Sequence, residues 1–125
     1  MTVLDILVAA RAIVASRKRW TKCTLARNAS RRMVPPNSPD AVCWCGYGAV
    51  MLVSDSNTTR QDALEVLYEA AGSNFPEFQD NATHQEMLDC FDRAIFAAPR
   101  GIEACIRSAS GGRWRAGGQS PRRSC

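Results

Sequence analysis

The stretch Ala41–Val53, AVCWCGYGAVMLV, carries no charged side chain and no proline. It is too short to cross a bilayer, which takes about 20 apolar residues. It must therefore be wrapped by other elements of its own chain, and whatever it becomes is central to the fold. Ser38-Pro39-Asp40 stands directly before it. Ser is a favoured N-cap, Pro is tolerated in the first helical turn, and Asp complements the positive end of the helix dipole. These start signals predict a helix from Pro39 to about Val53, apolar all round. On that helix Cys45, Gly48, Ala49 and Leu52 share one face, and its small residues would let a neighbouring helix come close. Periodicity alone also allows a buried strand over the same run.

Amphipathic segments on either side supply the wrapping. Val3 to Ser16 reads as a helix with Val3, Leu7, Ala10 and Val14 on its inner stripe, capped by Thr2 with Asp5 in a variant of the capping box. Arg17-Lys18-Arg19 follows where cations suit the helix end, and Trp20 is expected to anchor beside it. Cys23–Arg27 is read as a single helical turn, and Asn28–Asn37, with Pro35-Pro36, as an extended loop. A further helix runs to Ala71 from a cap at Thr58 or Thr59 and ends at Gly72 in the left-handed position. Phe75-Pro76-Glu77-Phe78 reads as a connector with two core-edge aromatics. Thr83-His84-Gln85-Glu86 is a full capping box opening a helix to about Ala98, with Asp89 and Arg93 spaced as a favourable outward pair. The expected fold is thus all-α: a compact bundle of about four helices near 3–16, 39–53, 59–71 and 84–98, with Trp44 and Cys45 hidden. Residues 1–99 form the domain. Residues 100–125, rich in Arg, Gly and Ser, form a tail expected to be disordered.

Charge divides at the same boundary. The chain has a net charge of +4, yet residues 100–125 hold six Arg against Glu103 alone, leaving the preceding domain close to neutral. The basic character is accordingly assigned to the tail, and the domain is not read as a nucleic-acid fold. The apolar N-terminus is interrupted by Asp5 and Arg11 and lacks a preceding positive region, unlike an export signal. With no membrane span, the compartment expected is a reducing cytoplasm. The six cysteines (Cys23, Cys43, Cys45, Cys90, Cys105, Cys125) are accordingly read as free thiols, with Cys23, Cys43, Cys45 and Cys90 in apolar surroundings.

Three blocks carry a resemblance: W-T-K-C-T-L-A-R-N (20–28), P-D-A-V-C-W-C-G-Y-G-A-V (39–50) and T-H-Q-E-M-L-D-C-F-D-R-A-I (83–95). With the leading helix, they make residues 3–97 resemble a family of small uncharacterised bacterial and phage proteins, catalogued as a domain of unknown function. Its pattern has a Trp near the end of helix one, an A-R-[DN] turn, a W-C-x-x-G-A helix and a final T-H-x-E-[VM]-L-x-x-F-D-x-A-I helix. Cys23 stands where that pattern often has Gly. The resemblance implies a compact domain and no particular activity.

Three chemistries are conceivable from residue types. A nucleophilic site would join Cys45 (or Cys43) to His84 and Asn81 or Asp80. On the predicted helix, however, both thiols lie beyond the first turn, where the dipole has faded, and His84 needs only a surface hydrogen bond to Asp80. A metal site from Cys43, Cys45, Cys90 and His84 lacks the paired C-x₂₋₄-C spacing of structural zinc. Arg113-Trp114-Arg115, with Arg122 and Arg123, suits single-stranded nucleic acid. No phosphate loop, dinucleotide fingerprint or Ca²⁺ loop is present, so no cofactor is implied. The sequence favours a small non-catalytic accessory module acting through a protein partner. Nucleic-acid association through the tail and a Cys45/His84 enzyme are the alternatives.

Overall fold

The computed structural model describes residues 1–98. The expectation of a disordered tail over 100–125 lies outside the described residues, as do the Arg113–Arg115 motif, Cys105 and Cys125.

Helix α1 (Val3–Val14) forms as the pattern predicts. Thr2 Oγ1 accepts from the Asp5 N–H, and the Asp5 carboxylate accepts from the Thr2 N–H in return. That reciprocal bonding holds the Asp5 carboxyl below its ordinary range. Ile6, Leu7, Ala10 and Val14 are buried. A 3₁₀ turn over Arg17–Arg19 follows, and the chain then runs extended through Trp20 and Thr21.

The sequence expectation of an all-α fold is corrected here by a small antiparallel sheet. Strand β1 (Ala26–Asn28) pairs with β2 (Ala41–Trp44) in the register Ala26↔Trp44 and Arg27↔Cys43. The Thr21 N–H donates to Trp44 O at 3.0 Å on the other edge of β2. Val34 N–H donates to Ala26 O at 3.0 Å on the free edge of β1. Four backbone stretches therefore lie side by side, in the order 20–21, β2, β1, 32–34.

The predicted helix from Pro39 to Val53 is half strand and half helix. Helix α2 (Gly46–Val53) begins only at Cys45, whose backbone N–H is taken by Leu25 O at 3.1 Å. Ser38 bonds the Asp40 N–H with its hydroxyl, as an N-cap would, but closes a turn. The same local bond serves caps and turns alike, and here the pairing partner from 25–28 decides between them. The expected close approach at Gly48 exists, but to backbone: a Cβ there would fall 2.1 Å from Leu25 O. Leu52, placed on that face, is exposed. The single helical turn expected over Cys23–Arg27 is likewise absent. Cys23 adopts φ 67, a left-handed geometry that glycine takes freely.

Helix α3 (Asn57–Ala71) is capped by Ser56 rather than Thr58 or Thr59 and ends at Gly72 with φ 78. The connector at 75–78 is instead a helix, α4 (Phe75–Asn81), with Asn74 as cap and Pro in its first turn. The Phe75 ring is wholly buried and meets Phe91 edge-on at 6.1 Å. Helix α5 (His84–Ala97) has the predicted capping box and buries Met87, Cys90, Phe91 and Ala94. Among the described residues there are five helices. The core lies where α1, α2, α3 and α5 meet, with Ala26 and Trp44 closing it from the inner face of the sheet. Trp44 and Cys45 are buried as expected, at 9% and 2% exposure.

Candidate functional site

The buried nucleophilic side chains are each engaged locally. Cys45 lies at the N-cap of α2, not deep in a longer helix, and its Sγ accepts from the Gly48 N–H at 3.2 Å. The helix-end position that the sequence reading denied it is therefore present. Burial acts against it and pushes the Cys45 thiol up, with smaller opposing contributions from Gly48 and Gln79. A thiol kept protonated is a slow nucleophile. Burial also pushes the Cys90 thiol up, to about 11, and its Sγ sits 3.9 Å from Leu67 O.

His84 is buried, which corrects the surface position expected for it. Its Nε2 lies 2.8 Å from Val14 O. A carbonyl only accepts, so Nε2 carries the hydrogen. The ring packs on Trp20 with centroids 5.2 Å apart. Asp80, the expected partner of His84, accepts instead from the Cys23 N–H at 2.9 Å. Asn81 donates to Glu77 O. No hydrogen bond joins Cys45, His84 and Asn81 among the described residues. None of their Cys, His, Asp and Glu side chains gather into a group of three or more suited to a metal. Cys23, expected in apolar surroundings, is exposed.

A groove of about 330 Å³ runs between α4 and α5, lined by Phe78, Asn81, Ala82, Glu86, Asp89 and Arg93. Its polar groups fasten the helices that form it. Glu86 accepts from the Thr83 N–H, Asp89 accepts from Gln85, and Arg93 Nε donates to Ala70 O, not to the Asp89 expected from their spacing.

The outer side of the sheet is different. Arg27 and Cys43 are paired across β1 and β2 and point to the side away from the core. Arg27 spreads over this side: Nε donates to Thr21 Oγ1 at 3.0 Å and Nη1 to Arg31 O at 3.0 Å. Arg31 Nη1 lies 3.7 Å from Cys43 Sγ. The Arg31 guanidinium and the Arg27 carbonyl oxygen, 3.9 Å from Sγ, thus flank a thiol with no exposed surface. Arg31 and Arg32 stand at the tip of the 28–33 turn, where Asn28 Oδ1 accepts from the N–H groups of both Ser30 and Arg32. Along the opposite edge run Arg17, Lys18 and Arg19, with Lys22 beyond. Arg19 lies over the Trp44 ring at 5.7 Å and Lys22 over the Trp20 ring at 5.4 Å, contacts that hold cations over aromatic faces.

These cations lack carboxylates to neutralise them. Among the described residues the ion pairs are the N-terminus with Asp55 and Arg11 with Asp92, and neither touches residues 17–32. The signal is in the sequence and is hidden by averaging. Residues 6–39 hold eight Lys or Arg and no acid, whereas residues 40–98 hold two Arg and ten acids. A near-zero net charge over the domain conceals this polarity, so assigning the basic character to the tail alone overlooks it.

Among the described residues no helix is long and apolar enough to cross a membrane. No curated protein and no solved structure matches the chain. The fold framed by the two capping boxes and the W-C segment is covered almost end to end by one family model, which matches residues 1–97, and the chain belongs to that family of unknown function, DUF6197.

Proposed function

We propose that this protein is a non-catalytic accessory module that works through a negatively charged macromolecular partner, docked on the cations that surround the small sheet. The observation that carries the reading is the array of seven Lys and Arg between Arg17 and Arg32 on adjacent backbone stretches, without a carboxylate at ion-pair distance among the described residues. Placing like charges together weakens a fold through self-repulsion. A partner of opposite sign relieves that repulsion and is steered toward the face on approach. For the protein partner expected from the sequence, these cations support an acidic surface, and another polyanion would meet the same charges. The buried, protonated Cys45 and the carbonyl-bound His84 give the enzyme alternative less support than the face gives binding. The free thiols among the described residues fit a reducing cytoplasm.

The test is salt elution of the full chain from immobilised sulfated polysaccharide and from immobilised poly-glutamate. Arg17, Lys18 and Arg32 are exposed and their side chains form no hydrogen bond or ion pair among the described residues, so the triple change R17E/K18E/R32E reverses charge without removing structural contacts. The variant should elute at clearly lower salt from both matrices while melting as the parent does. Elution together with the parent from both would overturn the proposal.

A further inference from the structure

Resting on the basic face as a binding surface, we infer that its partner is the phosphate backbone of a double-stranded nucleic acid, held without reading of base sequence. Three features separate this from the other polyanions.

The first is what the face lacks. Protein interfaces centre on buried apolar and aromatic anchors and are depleted in Lys. Here neither tryptophan beside the sheet stands fully exposed: Trp44 is buried and Trp20 half-buried. Trp44 is buried with its Nε1 donating to Pro36 O at 2.8 Å, and Trp20 packs on His84. Met33 and, on β2, Val42 are the large apolar side chains exposed on these stretches. Point charges with few anchors suit a partner that is itself a regular array of point charges.

The second is what covers the aromatic rings. Single strands are bound by stacking bases on open aromatic faces. Arg19 lies over Trp44 and Lys22 over Trp20, so the rings serve as pedestals for cations. A base would have to displace those cations to stack. A duplex keeps its bases stacked internally and presents phosphates outward, which asks nothing of the rings.

The third is rigidity and spread. The turn carrying Arg31 and Arg32 is fixed by the paired Asn28 bonds, and Arg27 is held by Thr21 and the Arg31 carbonyl. The 3₁₀ turn at Arg17–Arg19 is tied by Ser16 and by Arg19 N–H to Ser16 O. Charges therefore stand on two separate fixed supports flanking the sheet, with Arg27 between them. Separated supports can meet successive phosphates, and fixed ones lose little freedom on binding. Contacts to phosphates make affinity rest on counter-ion release, so it depends steeply on salt.

The experiment is fluorescence anisotropy of the full chain with a labelled mixed-sequence duplex, its separated strands, and poly-glutamate as competitor, repeated across a salt series. The comparison set is the parent, R17E/K18E/R32E, the milder R17Q/K18Q/R32Q, and a tail variant with Arg113, Arg115, Arg122 and Arg123 changed to Ser. The parent should bind the duplex at least as tightly as either strand, with no preference between two unrelated duplex sequences. Three lost phosphate contacts should reduce the slope of log K against log salt by about 3 and weaken binding at least about tenfold. The tail variant should keep most of the face-dependent difference. The milder variant, which keeps the fold if charge reversal does not, should show the same direction. Binding of single strands well above the duplex, or loss confined to the tail variant, overturns the inference. Displacement by poly-glutamate at low concentration, with weak duplex binding, also overturns it and leaves the proposed anionic partner standing. Failure of the face variants to change any polyanion binding removes both.

Discussion

Gly48→Ala tests the junction on which the whole arrangement depends. Gly48 lies in the first turn of α2, against the backbone of the segment leading into β1. An added Cβ would fall 2.1 Å from Leu25 O, 2.9 Å from Leu25 C and 3.2 Å from Leu25 Cα. All three are backbone atoms, so no rotamer change relieves the clash. Leu25 O also accepts from the Cys45 N–H at 3.1 Å. Moving that carbonyl away by roughly 1 Å sacrifices the bond, a loss of about 1 kcal/mol net. Overpacking strain adds about 1–3 kcal/mol. The opposing gain is the helix preference of Ala over Gly, about 1 kcal/mol at most. The balance is a destabilisation of about 2 kcal/mol, near 10 °C in melting temperature for a domain of this size. Urea titration followed by circular dichroism measures it, with Gly72→Ala as control. Gly72 has φ 78 and nothing within 4 Å of a new Cβ, so its loss is backbone strain alone, about 1 kcal/mol. A Gly48→Ala protein as stable as the parent would refute the close approach and, with it, the placement of 25–28 beside α2.

Other outcomes follow from single contacts. Thr83→Ala should destabilise by about 1 kcal/mol, since it leaves the Glu86 N–H without its capping oxygen; Thr83→Ser should restore most of that in the same denaturant titration. Brief alkylation at pH 7.5, mapped by mass spectrometry, should label Cys23 well ahead of Cys43, Cys45 and Cys90, since Cys23 is exposed and the other three are buried; fast labelling of Cys45 would restore the enzyme alternative. Cys90 is raised from 9.0 to about 11 in the folded chain. Between those values the unfolded chain has released the proton and the folded chain has not, so stability is full below pH 9 and falls as pH rises toward 11, by on the order of 2 kcal/mol. A Cys90→Ala protein should show a flatter alkaline limb in urea titrations across that range, and an unchanged limb would show the thiol to be solvated.

What the sequence determined by itself is local. The boxes at Thr2/Asp5 and Thr83/Glu86 and the left-handed Gly72 are bonds between residues a few positions apart, so their chemistry is written in adjacent letters. The inner stripes of α1, α3 and α5 are legible for the same reason, because an amphipathic helix shows its period. The start of α4 is equally local, in Asn74 and Pro76, but the helix is too short to display a period. Ala41–Val53 shows no period at all, being apolar on every side. Its division at Cys45 rests on Leu25 O, twenty residues earlier, and the sequence holds no mark of that bond. The position of Cys45 as a cap and the burial of His84 under Val14 O follow from the same long-range packing. The basic face combines both kinds of information. The run of eight cations without an acid can be counted in the sequence, but only the pairing of 20–21, β2, β1 and 32–34 gathers seven of them, Arg17 to Arg32, around one sheet, while Arg11 on α1 pairs with Asp92. Composition fixes how much charge a chain carries, and tertiary structure alone decides whether it is dispersed or concentrated.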